Sequence, residues 1–329
     1  MTLAVFHKLL AIFLTVALGY IAGRMRWLGP DGPNTARVLG NAAFYVFVPA
    51  LLFRTTARLD FATMPWHTVT AFFVPVLLVL IGVYGVQRLR AARRAEGHGA
   101  AAPSVRAIGA TFGNSVQVGI PFAAALFGEP GLGIHIALVS LHALVLLSVL
   151  TALAELDLAR ARARQEDAPP LWRTLATTLR NTIVHPVVLP VLAGLAWNFG
   201  GLGLHPVADE TLVALGSAVV PVCLVLIGIT LAAYGVRGHL RGALGISLVK
   251  LLVLPALVLM VARWGFGLAG LPLAVVVMMA ALPVGSNALI FAQRYETLEA
   301  EATAAIVFST ASFVLTATFW LGVLAWLAR

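Results

Sequence analysis

Ten stretches of the chain are too long, too apolar and too poor in charge to be anything but membrane crossings. They fall at about 3 to 23, 36 to 53, 67 to 87, 106 to 127, 132 to 154, 182 to 199, 211 to 234, 242 to 262, 271 to 293 and 302 to 327, and each matches the roughly 20 residues that span a hydrocarbon layer as a helix. We call them spans 1 to 10. None alternates apolar and polar residues as a membrane barrel strand does, so the expected fold class is an all-α polytopic membrane protein. The composition supports this, with 60% hydrophobic and 11% charged residues, and leaves little chain for a soluble domain. The first apolar run leads into Gly23-Arg24-Met25-Arg26 without a small-residue cleavage site, and reads as a retained helix.

The excess of 22 Lys and Arg over 13 Asp and Glu suggests nucleic acid in a soluble protein, but here its placement decides. Sixteen of the cations flank one set of alternate loops, among them Arg88, Arg90, Arg106 and Arg241, and five flank the other: Lys8, Arg54, Arg58, Arg263 and Arg329. Short loops rich in Lys and Arg stay in the cytoplasm. The reading is a multi-pass protein of the cell inner membrane with both termini non-cytoplasmic, the lipid bilayer as its surroundings and no nucleic-acid partner. The longest loop, 155 to 181, reads as a solvated cytoplasmic linker.

That linker separates two halves, 1 to 154 and 182 to 329, that resemble each other. Gly19 in span 1 matches Gly194 in span 6, Pro49 in span 2 matches Pro221 in span 7, and Asn114 in span 4 matches Asn287 in span 9. Similar offsets imply one repeat of five spans. Because five is odd, the second copy enters the membrane inverted. Inverted repeats of this kind belong to secondary transporters with substrate at the repeat interface near the midplane.

Spans 4 and 9 carry helix breakers and polar residues at mid-depth. Span 4 holds Gly113, Asn114, Ser115, Gln117, Gly119 and Pro121, and span 9 holds Pro283, Gly285, Ser286 and Asn287. Unwound backbone at this depth is tolerated only against protein or a wet cavity, and paired breaks in corresponding positions point to a transporter site. Amides at the half-helix ends and the side chains of Asn114, Gln117 and Asn287 can donate to an anion. A pair of Pro kinks with hydrogen-bonding side chains is the simpler alternative.

Lys250 is the one formal charge well inside a span, about 12 Å from the nearer end of span 8. It can pair with a substrate anion, change protonation during transport, or bond to carbonyls at the span 9 break; Lys250→Met is expected to abolish uptake without loss of folded protein. His142, near mid-depth in span 5, is a candidate proton relay, with interhelical hydrogen bonding as the simpler role for it and for His135 and His185. The Ser and Thr of span 10, including Ser309 and Thr310, read as packing contacts. All thirteen acids lie in loops or at span ends. Enzyme signatures are missing from the sequence, so the chain reads as a non-enzyme with no catalytic residues, no metal site and no cofactor beyond a coupling proton or sodium ion.

The run from Asn41 to Phe53, Asn114 with Gly119-Ile120-Pro121 and Ala125-Leu126-Phe127-Gly128, His185-Pro186, and Pro283, Asn287, Phe291-Ala292 and Tyr295 together resemble the auxin efflux carrier family. The resemblance covers essentially the whole chain, and the short cytoplasmic loop is similar to bacterial members that include malonate and malate permeases. It implies a fold shared with bile-acid sodium symporter homologues. Spans 1, 2, 6 and 7 would form a scaffold that often dimerises, and spans 3, 4, 5, 8, 9 and 10 a transport domain in which broken spans 4 and 9 cross. By position, Asn114, Pro121, Pro283 and Asn287 would be crossover residues, and Lys250 would match a basic residue of bacterial relatives. Val116 departs from the Gly that many relatives carry there. The expected function is a permease for a small organic anion, a mono- or dicarboxylate. A sodium-coupled symporter and a non-transporting sensor or scaffold are the alternatives.

Overall fold

The structure, a computed structural model, describes residues 3–29, 32–58, 62, 64–94, 99–162, 176, 180, 183–184, 186, 188–234 and 240–327. These residues are almost entirely helical. In chain order the helices are α1 (Leu3–Arg24), α2 (Gly32–Ala42), α3 (Val48–Ala57), α4 (Trp66–Arg94), α5 (Ala102–Thr111), α6 (Ile120–Arg162), α7 (Val188–Phe199), α8 (Pro206–Tyr234), α9 (Leu240–Leu248), α10 (Leu254–Met260), α11 (Gly270–Ala280), α12 (Asn287–Arg294) and α13 (Glu299–Leu327). Single π-helical turns, Ala43–Phe47 and Val249–Val253, join α2 to α3 and α9 to α10, so each pair is one rod.

Among the described residues six helices, Asn34–Ala57, Trp66–Ala91, Leu126–Ala161, Pro206–Ile229, Leu240–Gly265 and Glu299–Leu327, are long and apolar enough to cross a membrane. They coincide with expected spans 2, 3, 5, 7, 8 and 10. Expected spans 4 and 9 are each divided, into α5 with the start of α6 and into α11 with α12. The surface of the bundle is rich in large apolar side chains, including Leu14, Leu18, Leu78, Ile81, Leu315 and Phe319. Water would not tolerate such a surface, whereas hydrocarbon imposes no penalty on it.

The break between spans 4 and 5 sits at Gly128, whose φ of 61° and ψ of −165° lie outside helical space and suit only a residue without a Cβ. Helices then meet through small residues. A methyl on Gly19 of α1 would overlap the backbone of Val225 in α8, and one on Gly194 of α7 would overlap Thr56 and the Phe53 carbonyl of α3. The two glycines that the expected repeat would pair thus perform the same task, each seating its helix on one from the other half of the chain. Without a hydrophobic drive between helices in lipid, such close approach supplies the packing energy.

One expectation changes at the helix ends. The segment from Glu155 to Arg162, expected in the solvated linker, continues α6, and Glu155, Asp157 and Ala159 are buried. The carboxylates there are buried because helix ends pack on one another: Asp157 meets Arg88 and Arg160, and Glu301 of α13 takes a two-pronged contact from Arg106 of α5 at 2.8 and 3.1 Å. The rest of the expected linker, apart from residues 176 and 180, lies outside the described residues, as does His185.

Candidate functional site

The two divided helices meet at their breaks. After α5 ends at Thr111 the chain runs extended through Phe112 to Asn114, and after α11 ends at Ala280 it runs irregularly to Ser286. The two unwound strands lie antiparallel with Gly113 facing Val284. The Asn114 N–H donates to the Pro283 carbonyl at 2.8 Å, and the Gly285 N–H donates to the Phe112 carbonyl at 2.9 Å. Each break thus supplies what the other lost, which is how non-helical backbone survives at membrane depth. Small residues are required here, since a methyl on Gly285 would crowd the Gly113 backbone.

Side chains from α13, from the later part of α6 and from the π-turn after α9 complete the crossing. Ser309 of α13 accepts a hydrogen bond from the Val284 N–H at 3.0 Å. His142 accepts one at Nε2 from the Gly113 N–H at 3.3 Å. His135 bonds the Ser115 carbonyl at 2.8 Å. Lys250 sits in the π-turn between α9 and α10, fully buried, and donates to the Ala280 carbonyl at 2.5 Å. That carbonyl ends α11, where the helix dipole is negative and a cation is favoured.

Beside the crossing lies a cavity of about 790 Å³, within the range of small-molecule sites. Gly113, Asn114, Ser115, Gly285, Ser286 and Asn287 form one wall. Helices α1, α3, α6 and α8 also line it, through residues such as Thr15, Leu52, Ser140, Ser217 and Pro221. The cavity extends to Arg54, Leu212 and Val213 at the ends of α3 and α8. No acidic side chain is among the described residues that line it, and Arg54 is their one cation. The Arg54 guanidinium grips Asp209 at 2.7 and 3.2 Å, and Arg58 bonds the same carboxylate at 2.8 Å. Two cations thus share the one carboxylate of Asp209. A second cavity of about 570 Å³, lined in part by Arg58, shares Thr55 and Ser140 with the first.

Of the residues singled out in the sequence, Asn114, Ser115, Ser286 and Asn287 come together on the cavity wall, with Pro283 behind them in the bridge. Gln117 lies in the π-turn Ser115–Gly119 and Pro121 in the first turn of α6. Lys250 and His142 are outside the cavity lining, both buried against the breaks. Several backbone amides expected to face an anion are already used within the crossing. Sequence reasoning missed Arg54, counted there only as a marker of sidedness, and it missed Ser309. Arg54 follows the unbroken apolar run Ala50 to Phe53, a signal that it could reach inward.

The family described as "Membrane transport protein" matches residues 4–321 of the chain. An "uncharacterized transporter" of Methanothermobacter thermautotrophicus is 27% identical over 293 residues, covering 87% of this chain and 87% of that protein.

Proposed function

The chain belongs to the membrane transport protein family, the auxin efflux carrier family that its motifs resemble, and from that premise we propose that it is a secondary transporter of a small organic anion, a mono- or dicarboxylate. The observation that carries the substrate class is the cavity at the crossing: amide and hydroxyl side chains line one wall, Arg54 stands at its end, and no described lining residue is acidic. A carboxylate there meets amide and hydroxyl donors, with the Arg54 guanidinium at the cavity end.

In this reading all ten apolar windows cross the membrane as two inverted repeats of five. The antiparallel bridge at Gly113 and Val284, and the equivalent seating of Gly19 and Gly194, support that symmetry. Helices α1, α2, α3, α7 and α8 form the scaffold, and the others form the moving domain. Substrate binds at Asn114, Ser115, Gln117, Ser286 and Asn287, with Pro121 and Pro283 holding the breaks open. Sliding of the crossing against the scaffold then carries it across. An inside-negative potential of 100 mV favours efflux of a monoanion about 50-fold without a coupling ion. Uptake requires a co-transported proton, with His142 as the candidate relay, or sodium.

The deciding experiment is a panel of mono- and dicarboxylates in proteoliposomes, repeated for Asn114→Ala and Asn287→Ala. We expect saturable flux of at least one carboxylate, reduced tenfold or more in each folded variant. Flux of no carboxylate by the native protein, or full activity in both variants, would overturn the assignment. Strict sodium dependence would favour the symporter alternative.

A further inference from the structure

A third cavity of about 500 Å³ opens at the arginine-rich end of the bundle. It is built from one face of each of three helices. Gly82, Val83, Val86, Gln87 and Arg90 recur at helical spacing on α4, Arg106 and Ala110 on α5, and Arg241, Gly242, Gly245 and Ile246 on α9, with Val249 following. Helix α4 packs against α5 and α10 but parts from α9, so the groove is a wedge between α4 and α9, floored by α5. Gly82 and Gly245 face open space, with no atom within 4 Å of where a methyl would stand.

The polar groups divide by position. On the floor, Arg106 is satisfied by Glu301 and by the Gln87 side-chain oxygen at 3.1 Å. On the rim, Arg90 and Arg241 are exposed and have no carboxylate partner among the described residues. Below the rim, apart from Gln87 and Arg106, the lining is apolar or glycine, and the outer edges carry exposed Ile81, Leu89, Leu244 and Leu248. From Arg90 down to Gly82 is eight residues, or about 12 Å of helix. An opening that is cationic at the level of the headgroups and apolar beneath it matches one kind of molecule in the surroundings of a membrane-spanning chain.

We propose that this groove holds an anionic phospholipid, with its phosphate between Arg90 and Arg241 and an acyl chain along the Gly82 and Gly245 faces. Basic pockets between membrane helices bind such headgroups, each arginine near the surface contributing about 1 kcal/mol, or roughly fivefold in affinity. The apolar wedge supplies the remainder by taking chain carbon out of competition with bulk lipid. A soluble phosphate uses only the rim and leaves the wedge unfilled.

The test is a thermal-shift titration of the purified full chain in a neutral detergent with phosphatidylglycerol, with phosphatidylcholine of the same acyl chains, and with inorganic phosphate. Phosphatidylglycerol should stabilise the protein saturably, and the other two should not. The double variant Arg90→Gln/Arg241→Gln should weaken phosphatidylglycerol about 30-fold. Gly245→Leu, which fills the wedge while keeping both arginines, should weaken it comparably, and its exposed position leaves the fold unstrained. Equal stabilisation by phosphatidylcholine would overturn the headgroup assignment. Stabilisation by inorganic phosphate alone, or native affinity in both variants, would overturn the lipid site.

Discussion

Lys250 donates to the carbonyl that ends α11, whereas Arg54 reaches the cavity and shares Asp209 with Arg58. These surroundings separate their effects. Arg54→Gln removes a charge from the cavity end, and the dissociation constant for a transported carboxylate should rise about tenfold, since one charge-assisted hydrogen bond is lost. Lys250→Met should change that constant less than threefold, because the ammonium does not line the cavity, while flux falls sharply as the α11 end loses the group that fixes it. Calorimetric binding beside liposome flux checks both, and a tenfold loss of binding in Lys250→Met would return the lysine to direct contact with substrate. The sequence identified Lys250 as exceptional from depth alone. It could not choose among substrate, proton and carbonyl as its partner, because that choice depends on which neighbouring helix end lies within reach of the side chain.

Helix contacts obey a simpler rule. Gly19 and Gly194 each lie against backbone of a partner helix, so a side chain there can be accommodated only by separating the two rods. Gly19→Leu and Gly194→Leu should each lower stability by about 3 kcal/mol or more, seen as loss of monodisperse protein and a lower unfolding temperature. Gly322→Ala in α13, where a methyl meets no atom within 4 Å, should be neutral or stabilising by up to about 1 kcal/mol. Equal damage at Gly322 would mean that helix contacts are not what the first two variants disturb. The glycines and the paired breaks were legible in the sequence because both are local demands on backbone: close approach needs a missing Cβ, and unwinding needs breakers. Their partners were not legible. Ser309 reads as one hydroxyl among several in span 10, and only the crossing of α13 beside Val284 makes it a ligand of the break.

For the molecule as a whole, the cavity joins the crossing to the end of the bundle that carries Arg54 and Arg58, the cation-poor side in the loop count. If both termini are outside, this is an outward-facing arrangement. Ser217 lines the cavity, and the single Cys223 is buried, so Ser217→Cys in intact cells should react with a membrane-impermeant maleimide while the parent chain does not. A transported carboxylate should slow that labelling. Labelling only from the cytoplasmic face would reverse the orientation drawn from the charges. The sequence by itself determined an all-helical membrane protein, the places where two of its spans must break, and the asymmetry of its charge. Those properties follow from apolar length, from residues that cannot continue a helix, and from the preference of cations for one side of the bilayer, all of which act along the chain. Only the tertiary structure decided that the breaks meet strand to strand, that Lys250 turns to a carbonyl, that Arg54 belongs to the cavity and that Arg90 and Arg241 share a groove. Each of these needs the register and crossing of helices far apart in sequence, which packing sets and hydropathy does not record.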